Sequence, residues 1–363
     1  MEQTVSIIIL LFSFTLLLSF LTNYLLLKIS FSISNQFSQV PPNQERWASF
    51  KPAVGGISFF IVFLASLSLA SLVPLNQREG STIKMLGIIA SCVLGFILGL
   101  SDDAYNTNPL AKFIVQLCCG FILISSGVYI HLTPSESINF TLSIIWVIGL
   151  MNSVNMLDNM DGITSSISGI TILGMMITLA QNPNQEMQNI IIMSGVTGGI
   201  VGFLIFNWYP AKMFMGDTGS QFLGVFLAAF SMETIWNFKP ENTFTLSSQL
   251  GQFIIPALYF FIPLTDTTTV TFRRLFKKSS PFIGGKDHIT HHFVYAGLNE
   301  QQTVLTLSLI QIITVVIGIL FLFEYIDWSF LNATICVIFL MSVFVLLQVI
   351  YAQGDKRKMA SLK

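Results

Sequence analysis

Residues 83–103 read IKMLGIIASCVLGFILGLSDD, an apolar run that ends abruptly in two adjacent aspartates. A helix of about 20 apolar residues is long enough to cross the roughly 30 Å hydrocarbon core of a bilayer. The run therefore predicts a transmembrane helix that leaves the membrane at Asp102 and Asp103. Because a carboxylate near hydrocarbon is costly, this pair indicates a functional site at the boundary.

Long apolar runs of this kind repeat along the whole chain. Only 10% of the 363 residues are charged and 53% are hydrophobic, whereas a soluble protein carries about 25% charged residues. We therefore expect an all-α polytopic membrane protein with about eleven transmembrane helices, formed by a single integral-membrane domain over 1–363. The runs lie at roughly 5–28, 53–74, 83–101, 110–131, 137–155, 163–181, 188–207, 219–237, 250–272, 302–323 and 329–351.

The basic residues predict the orientation of these helices, because cytoplasmic loops carry an excess of Lys and Arg. With the N-terminus outside and the C-terminus cytoplasmic, only Arg78, Lys84 and Lys239 of the 17 basic residues fall outside. The acidic clusters and a long loop over 273–302, which contains three of the four histidines, then all face the cytoplasm. We expect one cytoplasmic active site in a multi-pass protein of the inner (plasma) membrane.

Two polar clusters at the ends of apolar runs supply candidate catalytic groups. Adjacent carboxylates at Asp102 and Asp103 can serve a metal and a proton or lysine separately, and Lys112 nearby can hold a phosphate as a point charge. A solvated helix end is the alternative interpretation. In NSVNMLDNMDG over 152–162, a helical end would place Asp158 and Asp161 on one face, suited to a sugar, a base or a hydrated cation; helix capping is the alternative.

The stretch FNWYPAKMFMGDTGS over 206–220 combines an aspartate with two glycines ahead of the eighth run. Gly216 and Gly219 would let backbone N–H groups approach a phosphate at a helix N-terminus. Asp217 is then a candidate ligand of Mg²⁺, which prefers carboxylate oxygens and substrate phosphates. A simple helix cap is again the alternative.

The histidines are concentrated in HITHH over 288–292. If this segment begins a helix, His288 shares one face with both His291 and His292. We expect His288 and one of the other two to point into the site.

From about residue 45 to residue 300, and with its motifs in the same order, the chain resembles the polyprenyl-phosphate N-acetylhexosamine-1-phosphate transferases. These enzymes are integral-membrane relatives of the phospho-N-acetylmuramoyl-pentapeptide translocase. The residues that carry the resemblance are Pro52 with Gly55 and Gly56, the Asp102-Asp103 pair with Lys112, Asn155 with Asp158 and Asp161, Asn207 with Pro210 and 214–220, PLTD over 263–266, and the His cluster.

The resemblance implies a phosphotransferase that moves N-acetylhexosamine 1-phosphate, by default that of N-acetylglucosamine, from a UDP-sugar to undecaprenyl phosphate and releases UMP. This would be the first membrane step of a cell-surface polysaccharide pathway. The implied cofactor is Mg²⁺, with Mn²⁺ as a substitute. The implied partners are both substrates and membrane lipids but no nucleic acid, and a homodimer is left open.

The resemblance also implies residue roles. Asp217 would bind Mg²⁺, while Asp102 or Asp103, helped by Lys112, would deprotonate or position the lipid phosphate. The histidines His288, His291 and His292 would contact the pyrophosphate or sugar. The residues expected to bind the UDP-sugar are Asn155, Asp158, Asp161, Asn207 and Phe214, with the Phe214 ring stacked on uracil.

Some alternatives stay open at this stage. The family's usual His-Ile-His-His has an extra residue here, so the acting histidine is undecided, as is the choice between single and double displacement. The muramoyl-pentapeptide branch usually has three adjacent histidines and a Glu, which this chain lacks. A secondary transporter would instead place carboxylates near the bilayer midplane and show an internal repeat, and a structural scaffold leaves the His cluster unexplained.

Overall fold

The computed structural model describes residues 2–37, 51–71, 81–180, 187–237, 246–279 and 285–361. The predicted outer-loop residues Arg78 and Lys239 lie outside these ranges. Within them the chain is helical, and a π-helical turn, Met232–Trp236, continues α8. The helices are α1 (Glu2–Phe37), α2 (Gly55–Ala70), α3 (Ser81–Tyr105), α4 (Pro109–Ser125), α5 (Glu136–Leu157), α6 (Ile163–Ala180), α7 (Met187–Asn207), α8 (Gly216–Ser231), α9 (Leu246–Tyr259), α10 (Phe261–Phe276), α11 (Ile289–Tyr295), α12 (Glu300–Leu322) and α13 (Phe330–Ser361).

The length and composition of these helices confirm an all-α, multi-pass membrane protein. In the described ranges, seven helices are long and apolar enough to cross a membrane, and an eighth span results if the bent pair α9–α10 counts as one. The helices α2 and α4 are apolar but shorter, at 16 and 17 residues. The count of eleven and the orientation of the termini stay predictions.

The predicted span over 250–272 is not one straight helix, because the chain bends by 88° between α9 and α10. Pro256 lies inside α9 and Pro263 in the first turn of α10, and proline removes a helical hydrogen-bond donor. The Gln311 side chain replaces the lost partners: it donates to the carbonyl of Tyr259 and accepts from the N–H of Ile262. A break in a membrane helix requires such internal partners.

The helix α8 forms the centre of the fold and packs against α2, α3 and α5. Every residue from 218 to 231 is buried. Small residues allow the close approach, as is usual between membrane helices: a Cβ on Gly56 would lie 2.2 Å from the N of Gly219, and one on Gly99 would lie 2.2 Å from the carbonyl O of Asp217. The C-terminal ends of α3 and α5 and the N-terminal end of α8 therefore meet at one end of the bundle.

Candidate active site

A cavity of about 500 Å³ opens at this meeting point of helix ends. The structure brings together there residues that lie up to 249 positions apart in the sequence, Lys51 and Glu300. The predicted site residues that line the cavity are Asp103, Asp158, Asp161, Phe214, Asp217 and His291.

Asp103 caps the N-terminus of α8. Its Oδ1 accepts a hydrogen bond from the N–H of Asp217 at 2.9 Å, and its Oδ2 accepts from the N–H and the hydroxyl of Thr218 at 2.9 and 2.6 Å. A carboxylate at this position also interacts favourably with the positive end of the helix dipole. Asp103 therefore occupies the N–H groups of Asp217 and Thr218, and a phosphate contact at this helix start stays a prediction.

Asp102 is buried and holds Lys112. Its Oδ1 accepts from the N–H and hydroxyl of Thr107 at 2.8 and 2.7 Å, and its Oδ2 forms an ion pair with the Lys112 ammonium. The same ammonium lies 3.4 Å from Asp217 Oδ2. Lys112 thus bridges a buried carboxylate, Asp102, and a carboxylate of the cavity, Asp217.

Asn155 orients Asp217. Its Nδ2 donates to Asp217 Oδ1 at 2.8 Å and to the Ser220 hydroxyl at 2.9 Å. The predicted substrate ligand Asn155 therefore contacts the proposed metal ligand directly. With Lys112 on the other oxygen, the orientation of the Asp217 carboxylate is fixed from two sides.

Asp158 and Asp161 do not share a helical face, and that prediction is wrong. The helix α5 ends at Leu157, and both aspartates lie in the turn that follows. Asp161 Oδ2 accepts from the N–H of Ala211 at 2.8 Å and lies 3.5 Å from the Lys51 ammonium. Burial, with the nearby carboxylates of Asp217, Asp103 and Asp161, raises the pKa of Asp158 to about 7.

Phe214 is held at the cavity by an isolated parallel β-bridge to the segment before α2. Its N–H donates to the carbonyl of Pro52 and its carbonyl accepts from the N–H of Gly55, both at 3.0 Å. The ring is 37% exposed, and the Lys51 ammonium lies 5.2 Å from its centroid. The segment before α2, which contains Pro52 and Gly55, therefore positions an aromatic ring that is open to a ligand.

Asn207 lies in the interior of the protein. It is buried, its Nδ2 donates to the carbonyl of Met213 at 3.0 Å, and its Oδ1 accepts from the N–H of Gly162 at 3.0 Å. The side chain therefore ties the turn after α5 to the segment that carries Phe214. In this geometry Asn207 shapes the site through other residues, and direct contact with a substrate stays a prediction.

The three histidines do not share one face, although the rings of His288 and His291 lie 6.2 Å apart, so that prediction is wrong. His288 precedes α11 in extended conformation, and its Nδ1 lies 2.8 Å from the buried Asp266 carboxylate. His292 turns away and stacks on Tyr351 with ring centroids 3.6 Å apart. His291 lines the cavity. Burial, together with the nearby side chains of His288 and Lys286, lowers its pKa to about 4, so it is neutral at pH 7.

Sequence reasoning missed several groups of the site. Asp266, which accepts from the N–H of Ile289 at 2.8 Å as well as facing His288, belongs to the PLTD motif but was assigned no role. The signal was a carboxylate inside an otherwise apolar run. The cavity-lining residues that no pattern indicated are Lys51, Tyr209, Tyr295 and Glu300.

The donor groups of the cavity suit a hard divalent cation. Five carboxylates line it, those of Asp103, Asp158, Asp161, Asp217 and Glu300, against one lysine, Lys51. In the part of the chain that the structure describes, no three His, Cys, Asp or Glu side chains form a ready-made metal cage. Mg²⁺ is usually held by one or two carboxylates together with substrate phosphates and water, so this donor set fits it.

Known proteins resemble this chain along most of its length. The family profile described as Glycosyl transferase family 4 matches residues 85–235, which include Asp102, Asp158 and Asp217. A Bacillus subtilis (strain 168) protein named probable undecaprenyl-phosphate N-acetylglucosaminyl 1-phosphate transferase is 28% identical over 75% of this chain and 74% of its own length.

Two further relatives match a similar fraction of this chain. The decaprenyl-phosphate N-acetylglucosaminephosphotransferase of Mycobacterium leprae (strain TN) is 27% identical over 71% of this chain and 70% of its own. The phospho-N-acetylmuramoyl-pentapeptide-transferase of Prochlorococcus marinus (strain MIT 9312) is 32% identical over 74% of this chain and 76% of its own. The chain, with its aspartates gathered at one end of a membrane-type helical bundle, therefore belongs to glycosyl transferase family 4.

Proposed function

We propose that this protein transfers N-acetylglucosamine 1-phosphate from UDP-N-acetylglucosamine to undecaprenyl phosphate and releases UMP. The observation that carries the proposal is the cavity, in which carboxylates, a lysine and an exposed aromatic ring meet at one end of apolar helices. The relatives named as undecaprenyl- or decaprenyl-phosphate N-acetylglucosamine phosphotransferases support this choice of sugar and acceptor class. The lipid-linked product would begin a cell-surface polysaccharide.

The position of the cavity suits both substrates. A UDP-sugar is dissolved in water, whereas the phosphate of a polyprenyl lipid is held at the membrane surface. The ends of the membrane helices are where both can meet. Following the distribution of basic residues, we place this end on the cytoplasmic side of the inner (plasma) membrane.

In the proposed reaction, an oxygen of the lipid phosphate attacks the phosphorus that carries the sugar. A new P–O bond forms, and the bond from that phosphorus to the oxygen of UMP breaks. Phosphoryl transfer of this kind depends mainly on positioning and charge neutralisation. Lys112 supplies positive charge beside Asp217, Asp102 holds that lysine in place, and Phe214 offers a ring on which uracil stacks.

Direct displacement is favoured over a phosphorylated aspartate. Both oxygens of Asp103 accept hydrogen bonds from the start of α8, and both oxygens of Asp102 are bound by Thr107 and Lys112. Neither carboxylate presents a free oxygen as a nucleophile. The lipid phosphate is itself a dianion near neutral pH and needs little activation by a base.

Mg²⁺ is the cation that we propose for the site, with Mn²⁺ as a substitute. Asp217 would bind it, and the partly buried carboxylate of Asp158 contributes negative charge nearby. When bound, the cation neutralises the negative charge of the diphosphate. The neutral His291, which also lines the cavity, would donate a hydrogen bond to the diphosphate or sugar.

The test uses membranes that contain the unmodified chain, undecaprenyl phosphate and radiolabelled UDP-N-acetylglucosamine. We expect labelled lipid product and an equal amount of UMP. A parallel reaction contains UDP-N-acetylmuramoyl-pentapeptide, because one relative carries that activity in its name. Lipid product only from this second donor would overturn the choice of sugar, and product from neither would overturn the proposed function.

A further inference from the structure

The C-terminal part of α13 packs on the segment that carries the histidines. The hydroxyl of Tyr351 donates to the carbonyl of Asp287 at 3.2 Å. The Tyr351 ring stacks on His292 with centroids 3.6 Å apart and planes inclined by 15°, and its carbonyl lies 3.2 Å from His292 Nδ1. One residue therefore contacts both ends of the segment 287–292, and His291 lies between these two contacts.

The other face of the same ring contacts α10. The guanidinium carbon of Arg273 lies 3.8 Å from the Tyr351 ring centroid. One turn earlier in α13, Gln348 donates to the Thr269 hydroxyl at 2.7 Å. The helix α10 also carries Asp266, the partner of His288. The same part of α13 therefore packs against the helix that holds His288 in place.

The packing depends on a close approach at Gly354. A Cβ at this position would lie 2.2 Å from the carbonyl oxygen of His292, which is backbone and cannot move aside alone. Tyr351 is 2% exposed, so its ring is enclosed by these contacts. A seven-residue helix such as α11 has little stability by itself and depends on packing of this kind.

We infer that Tyr351 is a positioning residue, which holds the segment 287–292 so that His291 faces the cavity. Only the expected effect of Tyr351 on turnover rests on the proposed function. The contacts of Tyr351 with Asp287 and His292 stand whatever reaction the cavity performs.

The experiment compares four full-length variants in membranes, at equal amounts of inserted protein. Tyr351→Leu removes the stacked ring and the hydroxyl, Tyr351→Phe keeps the ring, and Gly354→Leu forces α13 away from His292. Val349→Ala is the matched control, since this side chain is 47% exposed on the same helix. The readouts are kcat and KM for UDP-N-acetylglucosamine, and hydrogen exchange over residues 287–296 in detergent-purified protein.

A displaced catalytic group can lower a rate by about 10²-fold, so we expect kcat of Tyr351→Leu and Gly354→Leu to fall by about 10–100-fold with KM within about threefold. Hydrogen exchange over 287–296 should be faster in both, and near the unmodified rate in Tyr351→Phe and Val349→Ala. Unchanged exchange in Tyr351→Leu, or faster exchange with undiminished kcat, would overturn the inference. If the unmodified chain makes no lipid product, the proposed function fails, and the exchange contrast still decides whether Tyr351 holds the segment.

Discussion

Gly216→Ala tests whether the contact between Asp103 and the start of α8 fixes the position of Asp217. Gly216 has a φ of +71°, and a Cβ there would lie 2.6 Å from Asp103 Oδ2 and 3.1 Å from the carbonyl oxygen of Ala53. The substitution therefore strains the backbone. It also pushes on the carboxylate that accepts three hydrogen bonds from Asp217 and Thr218.

The expected magnitude follows from these two effects. Left-handed backbone costs an L-residue about 1–2 kcal/mol. A hydrogen bond to a charged group contributes about 1.5–3 kcal/mol, so the loss of one of the three raises the total to about 2.5–5 kcal/mol. If the chain accommodates alanine by moving Asp217, the adjacent residue, the same free energy corresponds to a loss of turnover of about 10²-fold or more.

The assay is transfer of labelled sugar phosphate to lipid, normalised to the amount of inserted chain. Gly149→Ala is the matched control, because a Cβ at this position in α5 meets no atom within 4 Å. We expect the control to be as active as the unmodified protein. Equal activity of Gly216→Ala and Gly149→Ala would refute the role given to Asp103 as the cap that fixes Asp217.

Four further substitutions test individual residues. Asp217→Asn should abolish transfer without preventing insertion, as should EDTA until Mg²⁺ or Mn²⁺ is restored; normal activity at limiting Mg²⁺ would contradict the metal assignment. Phe214→Ala should raise KM for the UDP-sugar, since lost base stacking costs about 1–3 kcal/mol; an unchanged KM would mean that the ring does not contact uracil. Because Asp158 is protonated below its pKa of about 7, the affinity for Mn²⁺, measured by electron paramagnetic resonance, should weaken by up to about tenfold per pH unit from pH 7 to pH 5. Asp158→Asn should reduce this slope, and a slope that stays unchanged would assign it to another carboxylate of the cavity, such as Asp217. His291→Ala should lower turnover by about 10²–10³-fold, as the loss of a hydrogen-bond donor to developing negative charge does, and near-normal turnover would remove it from the site.

The sequence was sufficient to predict where the site lies. Apolar runs of membrane length leave few places for charge, so the aspartates that end these runs had to gather at helix ends. The pairing of Asp102 with Lys112 could be expected for the same reason. Asp102 follows the end of one apolar run, and Lys112 lies near the start of the next run. The structure places these groups around one cavity, as the distribution of charges along the chain indicated.

The sequence was not sufficient to predict the direction of side chains where a helix ends. The three-residue spacing of Asp158 and Asp161 was interpreted as a helical face, but α5 stops at Leu157 and the following turn contains Gly162 at a φ of +77°. Periodicity carries no information beyond the end of the helix. The bend between α9 and α10 was hidden for a different reason, because its stabilising partner, Gln311, lies 49 residues from Ile262.

The carboxylates of the site divide into two groups by the hydrogen-bond and ion-pair partners that face them. Asp102 is matched by Lys112, Asp103 by the N-terminus of α8, and Asp266 by His288 and the N–H of Ile289.

Asp158 differs from these three, because among the described residues no Lys or Arg forms an ion pair with it, and its pKa is raised to about 7. At the cavity wall Asp161 and Asp217 lie near Lys51 and Lys112, whereas the negative charge of ionised Asp158 has no Lys or Arg ion-pair partner among the described residues. A divalent cation that arrives with a diphosphate would offset this charge, so the balance of charge by itself favours a metal–nucleotide ligand over a neutral sugar.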